Sequence, residues 1–362
     1  MIIKKLFAVA GYPVLHSKSP FIFNKLFSSM SIPSYYSRLS ARSADEAMEM
    51  FKRLEISGIN VTSPLKNRIL SFAQKIDEPS GLIKGVNTLV KKDGIVAGYN
   101  TDHFGVSESL REENIDINGK KCLVLGAGSS ARAAVYALNR MGGIVTIVNR
   151  TYKNAYIISS EMNCRTEVFD KLQSEILKCD IFISTIPDGT ESIKRNWFSE
   201  NTTVFDASYR SSTIIKAALS AGCRVIRGEK WLLNQAIPAF RIFTGQDIKK
   251  KESGKLSDTL KKHKYSYSEL ILLGNRDLAE SVKNILTDKF KNSDIKIISD
   301  PKEIMETEMI SGLKAPPLRI LLFSGEMNKE KYLFQFSDMV IPARKRPEET
   351  AERIVEETEY VW

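Results

Sequence analysis

Residues 120–153, KKCLVLGAGSSARAAVYALNRMGGIVTIVNRTYK, constrain the fold more than any other stretch of this chain. Cys122-Leu123-Val124-Leu125 is a short apolar run of strand type. It feeds into Gly126-Ala127-Gly128-Ser129-Ser130-Ala131, and the spacing of Ala134, Val135, Leu138 and Met141 behind that turn is helical. Ile144 to Val148 reads as a second buried strand. Strand, glycine turn, helix and strand in that order make a βαβ unit whose first turn carries the G-x-G-x-x-G/A spacing of dinucleotide sites. Gly126 permits the tight turn, Gly128 lets a pyrophosphate approach the backbone, and Ala131 lets the helix pack closely on the strand. The phosphates would sit on the helix N-terminus, where free N–H groups and the macrodipole favour anions. A glycine turn that only connects strand to helix is the competing reading, and the strand and helix legible on either side weigh against it.

The end of the second strand selects the cofactor. NAD-binding units place an acidic residue there, about 20 residues past the glycines, to bond the ribose 2′-hydroxyl. This chain has Asn149-Arg150-Thr151-Tyr152-Lys153 instead. No carboxylate stands there to repel a 2′-phosphate, and Arg150 with Lys153 can pair with one. The cofactor expected is therefore NADP(H), the competing reading of Arg150 being a solvated surface residue.

At 362 residues the chain is too long for one ordinary core and suits several domains. Its net charge of +10 fits anionic ligands, and with no interleaved aromatic and basic motif in view a nucleic-acid partner is not expected. Cys122, Cys164, Cys179 and Cys223 form no C-x-x-C pair and read as small hydrophobes in a reducing cytosol. With only His16, His103 and His263, no metal site is expected. No apolar run reaches about 18 residues, so no membrane span is expected. The apolar part of MIIKKLFAVAG is too short for a secretory signal, which makes the cytoplasm the expected location.

Ahead of the nucleotide unit, Leu6 to Ala10 reads as a strand. A polar loop with His16, Ser17 and Ser19 follows, then a helix with Ser19 as N-cap and Pro20 in its first position. Capping explains one serine, not two with a histidine beside them. Gly58 to Thr62 is a short strand, and Ser63-Pro64-Leu65-Lys66 stands at the mouth of a further helix. A lysine in a first helical turn opposes the macrodipole, so Lys66 is either functional or simply solvated. Val86 to Val90 and Ile95 to Asn100 form a hairpin around Lys91-Lys92-Asp93-Gly94, leading to Asp102 and a helix to about Arg111. Ser17, Thr62, Lys66, Asn87 and Asp102 all fall at or just after strand ends, where α/β sheets bind ligands. Beyond the nucleotide unit, strands at 179–186, 203–207 and 224–226 alternate with a helix at 214–221, and a helix near 231–240 could return the chain to the first domain.

These motifs together resemble the shikimate dehydrogenase family. HSKSP at His16 to Pro20, GINVTSPLK at Gly58 to Lys66, VNT at Val86 to Thr88, NTD at Asn100 to Asp102, GAGSSARA at Gly126 to Ala133, NRT at Asn149 to Thr151 and the spacing from Gly228 to Gln235 stand in family order. The resemblance implies NADPH-dependent reduction of 3-dehydroshikimate to shikimate. It implies Lys66 and Asp102 as catalytic groups, and Ser17, Ser19, Thr62, Asn87, Tyr209 and Gln235 as substrate-binding groups. The cofactor would be held by Gly126, Ala127, Gly128, Ser129, Ser130, Ala131, Asn149, Arg150, Thr151, Lys153 and Gly228. Departures from the pattern are His103 in place of a glycine, Phe23 in place of a histidine, Lys84-Gly85 before the VNT motif, and Ser184 in place of an asparagine. None removes a residue with an implied chemical role. Alternatives are a quinate-preferring or NAD-using relative, and a catalytically silent NADP-binding sensor or scaffold.

The fold class expected is α/β. An N-terminal α/β substrate domain takes residues 1–103 plus 236–248, and a Rossmann-type doubly wound NADP domain takes 104–235. A lysine-rich linker follows at 249–264, and then a small C-terminal α/β domain at 265–362 that the family does not explain. That last segment faintly resembles a P-loop kinase but lacks G-x-x-x-x-G-K-[ST] after Gly274, so a non-catalytic accessory or oligomerisation role is expected. The partner expected is a small anionic substrate, with a homo-oligomer as a further option, and neither nucleic acid nor membrane.

Overall fold

The structure is a computed structural model that describes residues 4–187, 193–208, 212–263, 270–289, 295–299, 318–324, 330, 334, 337–343 and 346–359. The chain divides into two compact units, one of Met1–Lys75, Val86–Gly98 and Lys262–Trp362, the other of Ile76–Gly85 and Tyr99–Lys261.

The first unit is built on one sheet. Its strands are β1 (Lys5–Gly11), β2 (Ser34–Ser40), β3 (Gly58–Val61), β4 (Lys75–Ile76), β5 (Thr88–Lys92) and β6 (Ile95–Tyr99), joined by four strands from the end of the chain. The spatial order at the N-terminal end runs β2-β1-β3-β5-β6-β4. β1 pairs in parallel with both β2 (Ala8 opposite Ser37) and β3 (Ala8 opposite Ile59), while β5 runs antiparallel to β3 (Ile59 opposite Leu89). The chain thus leaves β1 to one side and returns on the other, which makes the carboxyl end of β1 a topological switch point. Helix α1 (Ser19–Ser29) buries Ile22, Phe23, Leu26 and Phe27, an i, i+1, i+4, i+5 stripe. Helix α2 (Ala44–Arg53) is capped by the Ser43 hydroxyl, which accepts from the Glu46 N–H, and carries acidic residues in its first turn and basic ones in its last.

The second unit holds a six-stranded sheet. Its strands are β7 (Lys121–Leu125), β8 (Ile144–Val148), β9 (Arg165–Glu167), β10 (Ile181–Ser184), β11 (Thr203–Asp206) and β12 (Arg224–Ile226) in the order β12-β11-β10-β7-β8-β9, with every neighbouring pair parallel. Alternate residues of β7 serve two cores. Cys122 and Val124 pack with α4 (Asp102–Glu112) and α5 (Ser129–Arg140), while Leu123 and Leu125 pack with Phe182, Val204 and Ile214 of the opposite face. Burial on both faces is why these strands read as unbroken apolar runs.

Several sequence expectations change. Helix α3 (Glu78–Ile83), capped by Asp77, was not legible, being only six residues long. Ser19 is the first residue of α1 and not its N-cap, which is Lys18. No α-helix follows Lys66: residues 63–68 are turns leading into a single 3₁₀ turn, Ile69–Phe72, so the macrodipole argument does not apply to Lys66. The lysine-rich stretch read as a linker forms helix α10 (Lys250–Lys262). Asp102 and helix α9 (Gly228–Thr244) belong to the second unit, where α4 packs along α9 and the Asn234 side-chain amide lies 3.1 Å from the Ser109 hydroxyl.

The largest change concerns the tail. β13 (Leu270–Leu273), β14 (Ile295–Ile298), β15 (Leu318–Phe323) and β16 (Met339–Pro342) form a parallel array in the order β14-β13-β15-β16, with α11 (Arg276–Lys289) and α12 (Pro347–Thr358) packed together. This array does not stand apart as a separate small domain. β16 pairs in parallel with β2, Val340 opposite Leu39, and produces one ten-stranded sheet. Leu273, Leu321, Phe323 and Val340 share a core with Leu6, Ala8, Ala10, Phe51 and Ile59. The reason is the edge of β2, whose row of unpaired backbone groups is a template for a further strand.

Candidate active site

At the switch point of the first sheet, the loops after β1 and β3 are locked to each other through the backbone. The Thr62 N–H donates to the Ala10 carbonyl at 2.9 Å and the Tyr12 N–H to the Ser63 carbonyl at 3.1 Å. A Cβ on Gly11 would lie 2.3 Å from Thr62 Cγ2 and 2.9 Å from the Ser63 carbonyl oxygen, so only glycine allows this approach. The Val86 N–H donates to the Lys66 carbonyl at 2.9 Å, and the Val61 N–H to the Asn87 carbonyl at 2.7 Å. The antiparallel run of β5 brings its start, with Asn87, to the carboxyl end of β3. Thr62, Lys66 and Asn87 are therefore gathered around one sheet end, with Lys66 and Thr62 half-buried and Asn87 buried.

A chain of side-chain hydrogen bonds runs through the same region. Ser17 Oγ lies 3.3 Å from Ser19 Oγ, and Ser19 in turn bonds Tyr36. The Tyr36 hydroxyl donates to Asn60 Oδ1 at 2.7 Å, Asn60 Nδ2 donates to Thr88 Oγ1 at 2.9 Å, and Thr88 Oγ1 to Asn87 Oδ1 at 3.0 Å. Every member of this chain is buried, and burial pushes the Tyr36 phenol well above its ordinary range, against the opposing effect of Arg38 and the Ser19 bond. Buried polar groups persist when each is partnered, and such a chain fixes rotamers at both ends. Tyr36 and Asn60 were missed in the sequence, where Tyr36 reads as an ordinary aromatic in a strand and Asn60 as part of GINV.

In the second unit Asp102 opens α4 and is buried, with its N–H donating to Asn100 Oδ1 at 3.1 Å and the Asn100 amide donating to the Gly85 carbonyl at 2.8 Å. A carboxylate in a first helical turn is favoured by the macrodipole. Gln235, on α9, lies 3.3 Å from the Thr101 hydroxyl and donates to the Leu232 carbonyl. His103 follows Asp102 and is not a bare surface residue: its ring lies 4.1 Å from Phe104 and edge-on to Tyr136 at 5.1 Å. Burial lowers its pKa, with Asp77 and Asp102 pulling the other way. Lys84 caps α3 in the left-handed region, φ +55°, and its amine pairs with Glu161 at 2.6 Å, as does Arg132 at 2.7 Å. Tyr209 lies outside the described residues.

The glycine turn sits where the second sheet reverses its winding, between β7 and β10. Gly126 has φ +114°, and a Cβ there would lie 2.3 Å from Thr185 Oγ1, which itself donates to the Leu125 carbonyl. Gly128 is the N-cap of α5, with nothing within 4 Å of where its Cβ would stand, and Ser129 and Ser130 open the helix. That open space over free helical N–H groups suits a pyrophosphate. Ala131 is fully buried against the sheet. After β8, Asn149 turns its amide to the Thr151 carbonyl, and Arg150 and Lys153 are exposed. Gly228 opens α9 where a Cβ would lie 2.4 Å from the Ala207 carbonyl oxygen, so glycine is required for the helix to reach the end of β11. Among the described residues no three His, Cys, Asp or Glu side chains cluster as a metal site would, and no helix is long and apolar enough to cross a membrane.

Residues 9–89 match the family model described as the shikimate dehydrogenase substrate binding domain, and residues 109–209 the one described as shikimate / quinate 5-dehydrogenase. The chain is 33% identical over 254 residues to the shikimate dehydrogenase (NADP(+)) of Methanococcoides burtonii, covering 67% of this chain and 94% of that one. Its identity to the same enzyme of Caldicellulosiruptor bescii is 35% over 257 residues, covering 66% and 89%. Among solved structures, shikimate dehydrogenase of Aquifex aeolicus superposes with a TM-score of 0.65 at 30% identity, covering 70% of this chain and 97% of that one. The shikimate 5-dehydrogenase of Thermus thermophilus, solved with NADP(H) and shikimate, gives 0.64 at 26% identity, covering 71% and 100%. These similarities take in nearly the whole of each relative, and the C-terminal region of this chain is not explained by them.

Proposed function

The chain belongs to the shikimate dehydrogenase family, and we propose from this that it catalyses the reversible NADPH-dependent reduction of 3-dehydroshikimate to shikimate, in aromatic amino-acid biosynthesis. The observation that carries the substrate half of this reading is the buried polar chain from Ser17 to Asn87 at the switch point of the first sheet. Ser17 and Ser19 take the substrate carboxylate, and Thr62, Asn87, Gln235 and Tyr209 take carboxylate or ring hydroxyls. Neutral donors suffice for a carboxylate where several converge in a dry site.

The cofactor half rests on the turn around Gly126 and on the basic residues after β8, and these fit NADP(H). Residues 126–131 would hold the pyrophosphate. Asn149, Arg150, Thr151 and Lys153 would hold the ribose phosphate, and Gly228 lets its helix close on the site. When bound, NADPH supplies the hydride for the ketone carbon.

Lys66 and Asp102 are the proposed catalytic groups. The Lys66 ammonium gives its proton to the ketone oxygen as negative charge develops there, is left as a neutral amine, and is reprotonated from solvent. Asp102 accepts from a substrate hydroxyl and orients the ring. The cytoplasm is the proposed compartment, supported by four free cysteines, none of which forms a disulfide.

Lys66→Ala tests the assignment. General acid catalysis of this kind contributes about 10²–10⁴-fold, so turnover of shikimate should fall by that range while NADP⁺ affinity measured by fluorescence titration stays at the wild-type value. Unchanged turnover in that variant would remove Lys66 from the chemistry.

A further inference from the structure

Outside the groups already described, the first unit buries three charged side chains that the proposed chemistry does not use, Arg38, Arg353 and Glu357. Two of them, Arg353 and Glu357, belong to the tail, which the relatives above do not explain, and all three meet a single element, the loop that leads from β1 to Ser17 and Ser19. One oxygen of the Glu357 carboxylate, on α12, accepts both the Val14 N–H at 2.7 Å and the Leu15 N–H at 2.9 Å. The Arg38 guanidinium donates to the Ser17 carbonyl at 2.8 Å and to the Asp338 carbonyl of the tail at 2.9 Å. Arg353, one helical turn before Glu357, lies over the Tyr12 ring at 5.5 Å and pairs with Glu46 at 3.0 Å. The loop is therefore gripped at Tyr12, at Val14 and Leu15, and at Ser17, each time by a tail residue or by a side chain that the tail holds.

The chemistry of the grip is specific. Two successive N–H groups pointing at one oxygen form a small anion-binding concavity. Left empty and buried, those N–H groups would be costly, and the loop would turn to find other partners. Residues 12–18, between β1 and α1, form neither helix nor strand, and apart from the Glu357 bonds their N–H groups are held through Tyr12, on the Ser63 carbonyl, and Ser17, on the Val14 carbonyl. Ser17 and Ser19 sit directly behind the gripped residues, and their hydroxyls lie only 3.3 Å apart, a spacing that a small rotation of the loop would destroy.

We infer that Glu357 is a positioning residue for substrate binding: through the Val14 and Leu15 N–H groups it sets the loop that presents the Ser17 and Ser19 hydroxyls to the substrate carboxylate, which gives the C-terminal extension a function in the reaction. This rests on the proposed reading of Ser17 and Ser19 as carboxylate donors. Glu357 touches neither substrate nor cofactor, so its loss acts on shikimate binding and leaves cofactor binding alone.

The test compares full-length wild type, Glu357→Ala, Glu357→Gln and Ser17→Ala by steady-state kinetics with shikimate and NADP⁺, with thermal unfolding as a control for folding. Glu357→Ala should raise the KM for shikimate by about tenfold or more, the loss of roughly one charge-assisted hydrogen bond, with kcat and the KM for NADP⁺ little changed. Glu357→Gln should give a KM between those of the wild type and Glu357→Ala, because its amide oxygen can still accept both N–H groups but carries no charge. A tail that merely stabilised the fold would lower the melting temperature without this split between substrate and cofactor. An unchanged shikimate KM in a folded Glu357→Ala overturns the inference. If Ser17→Ala raises that KM in the same experiment, the positioning role alone fails; if it too is without effect, the reading of the loop fails with it. Should Glu357→Ala not fold, Glu357→Asp takes its place, keeping the charge but shortening the reach by one methylene, and an unchanged KM there overturns the inference equally.

Discussion

At the residue scale, the groups proposed to carry chemistry could be picked out in the sequence and the groups that hold them could not. Ser17, Thr62, Lys66 and Asn87 could be picked out because polar residues at strand ends of an α/β sheet have few structural duties. Their supports, Tyr36, Asn60, Arg38 and Glu357, are buried polar residues whose partners lie far off in sequence, 343 residues away for Glu357 and Val14. The helix from Pro347 to about Glu357 could be read from the sequence, but only the folded chain shows that Arg353 and Glu357 on it face inward, four residues apart. His103 is a further case, where a glycine is usual in the family and a half-buried imidazole stands here. Burial holds its pKa below 6.5, so between the folded and unfolded values the unfolded chain binds the extra proton. Stability from this site is therefore complete above pH 6.5 and is lost as pH falls through that window to the folded pKa. Urea titrations at several pH values should show the wild type losing more stability below pH 6.5 than His103→Gln does, and parallel losses in the two proteins would contradict the argument.

At the element scale, strands and glycine turns were read well and short helices poorly. A buried parallel strand announces itself by an apolar run and a glycine stop, as at Cys122 to Gly126. A helix of six residues such as α3 shows less than two turns of periodicity, which is too little to detect. The helical spacing of Ile69, Leu70, Phe72 and Ala73 predicts a helix after Lys66, yet only Ile69 of that segment is fully buried, and the chain makes a single 3₁₀ turn there. The nucleotide turn carries the strictest geometric demand. Adding a methyl group at Gly126 meets both a positive φ and the Thr185 hydroxyl at 2.3 Å. Gly126→Ala should cost about 1–3 kcal/mol of stability, as other residues forced into sparsely populated backbone regions do, and should weaken NADP⁺ binding. Chemical denaturation and cofactor titration read the two effects, and a variant as stable and as avid as the wild type would show that the turn tolerates a side chain.

At the scale of the whole molecule, the sequence showed an α/β protein with a nucleotide sheet, a substrate sheet and a folded tail, but not that the tail continues the substrate sheet. Nothing in the local pattern of Met339 to Pro342 says which strand it will pair with; that is decided by the open edge of β2 and by an apolar face shared between strands more than 200 residues apart. The expected boundaries joined 236–248 to the N-terminal domain and set 265–362 apart, whereas the first unit takes its last part from Lys262–Trp362 and 236–248 lie in the second unit. The consequence is that the C-terminal region, which the family does not explain, is integrated with the part that is proposed to bind substrate. All of this stands on the claim that the protein oxidises shikimate with NADP⁺. The direct measurement is steady-state oxidation of shikimate by the full-length protein with NADP⁺ and, separately, with NAD⁺. The account predicts turnover with a kcat/KM at least about tenfold higher for NADP⁺, the worth of one charge-assisted contact from Arg150 to the 2′-phosphate. Absence of turnover with either cofactor, or a preference for NAD⁺, would contradict it.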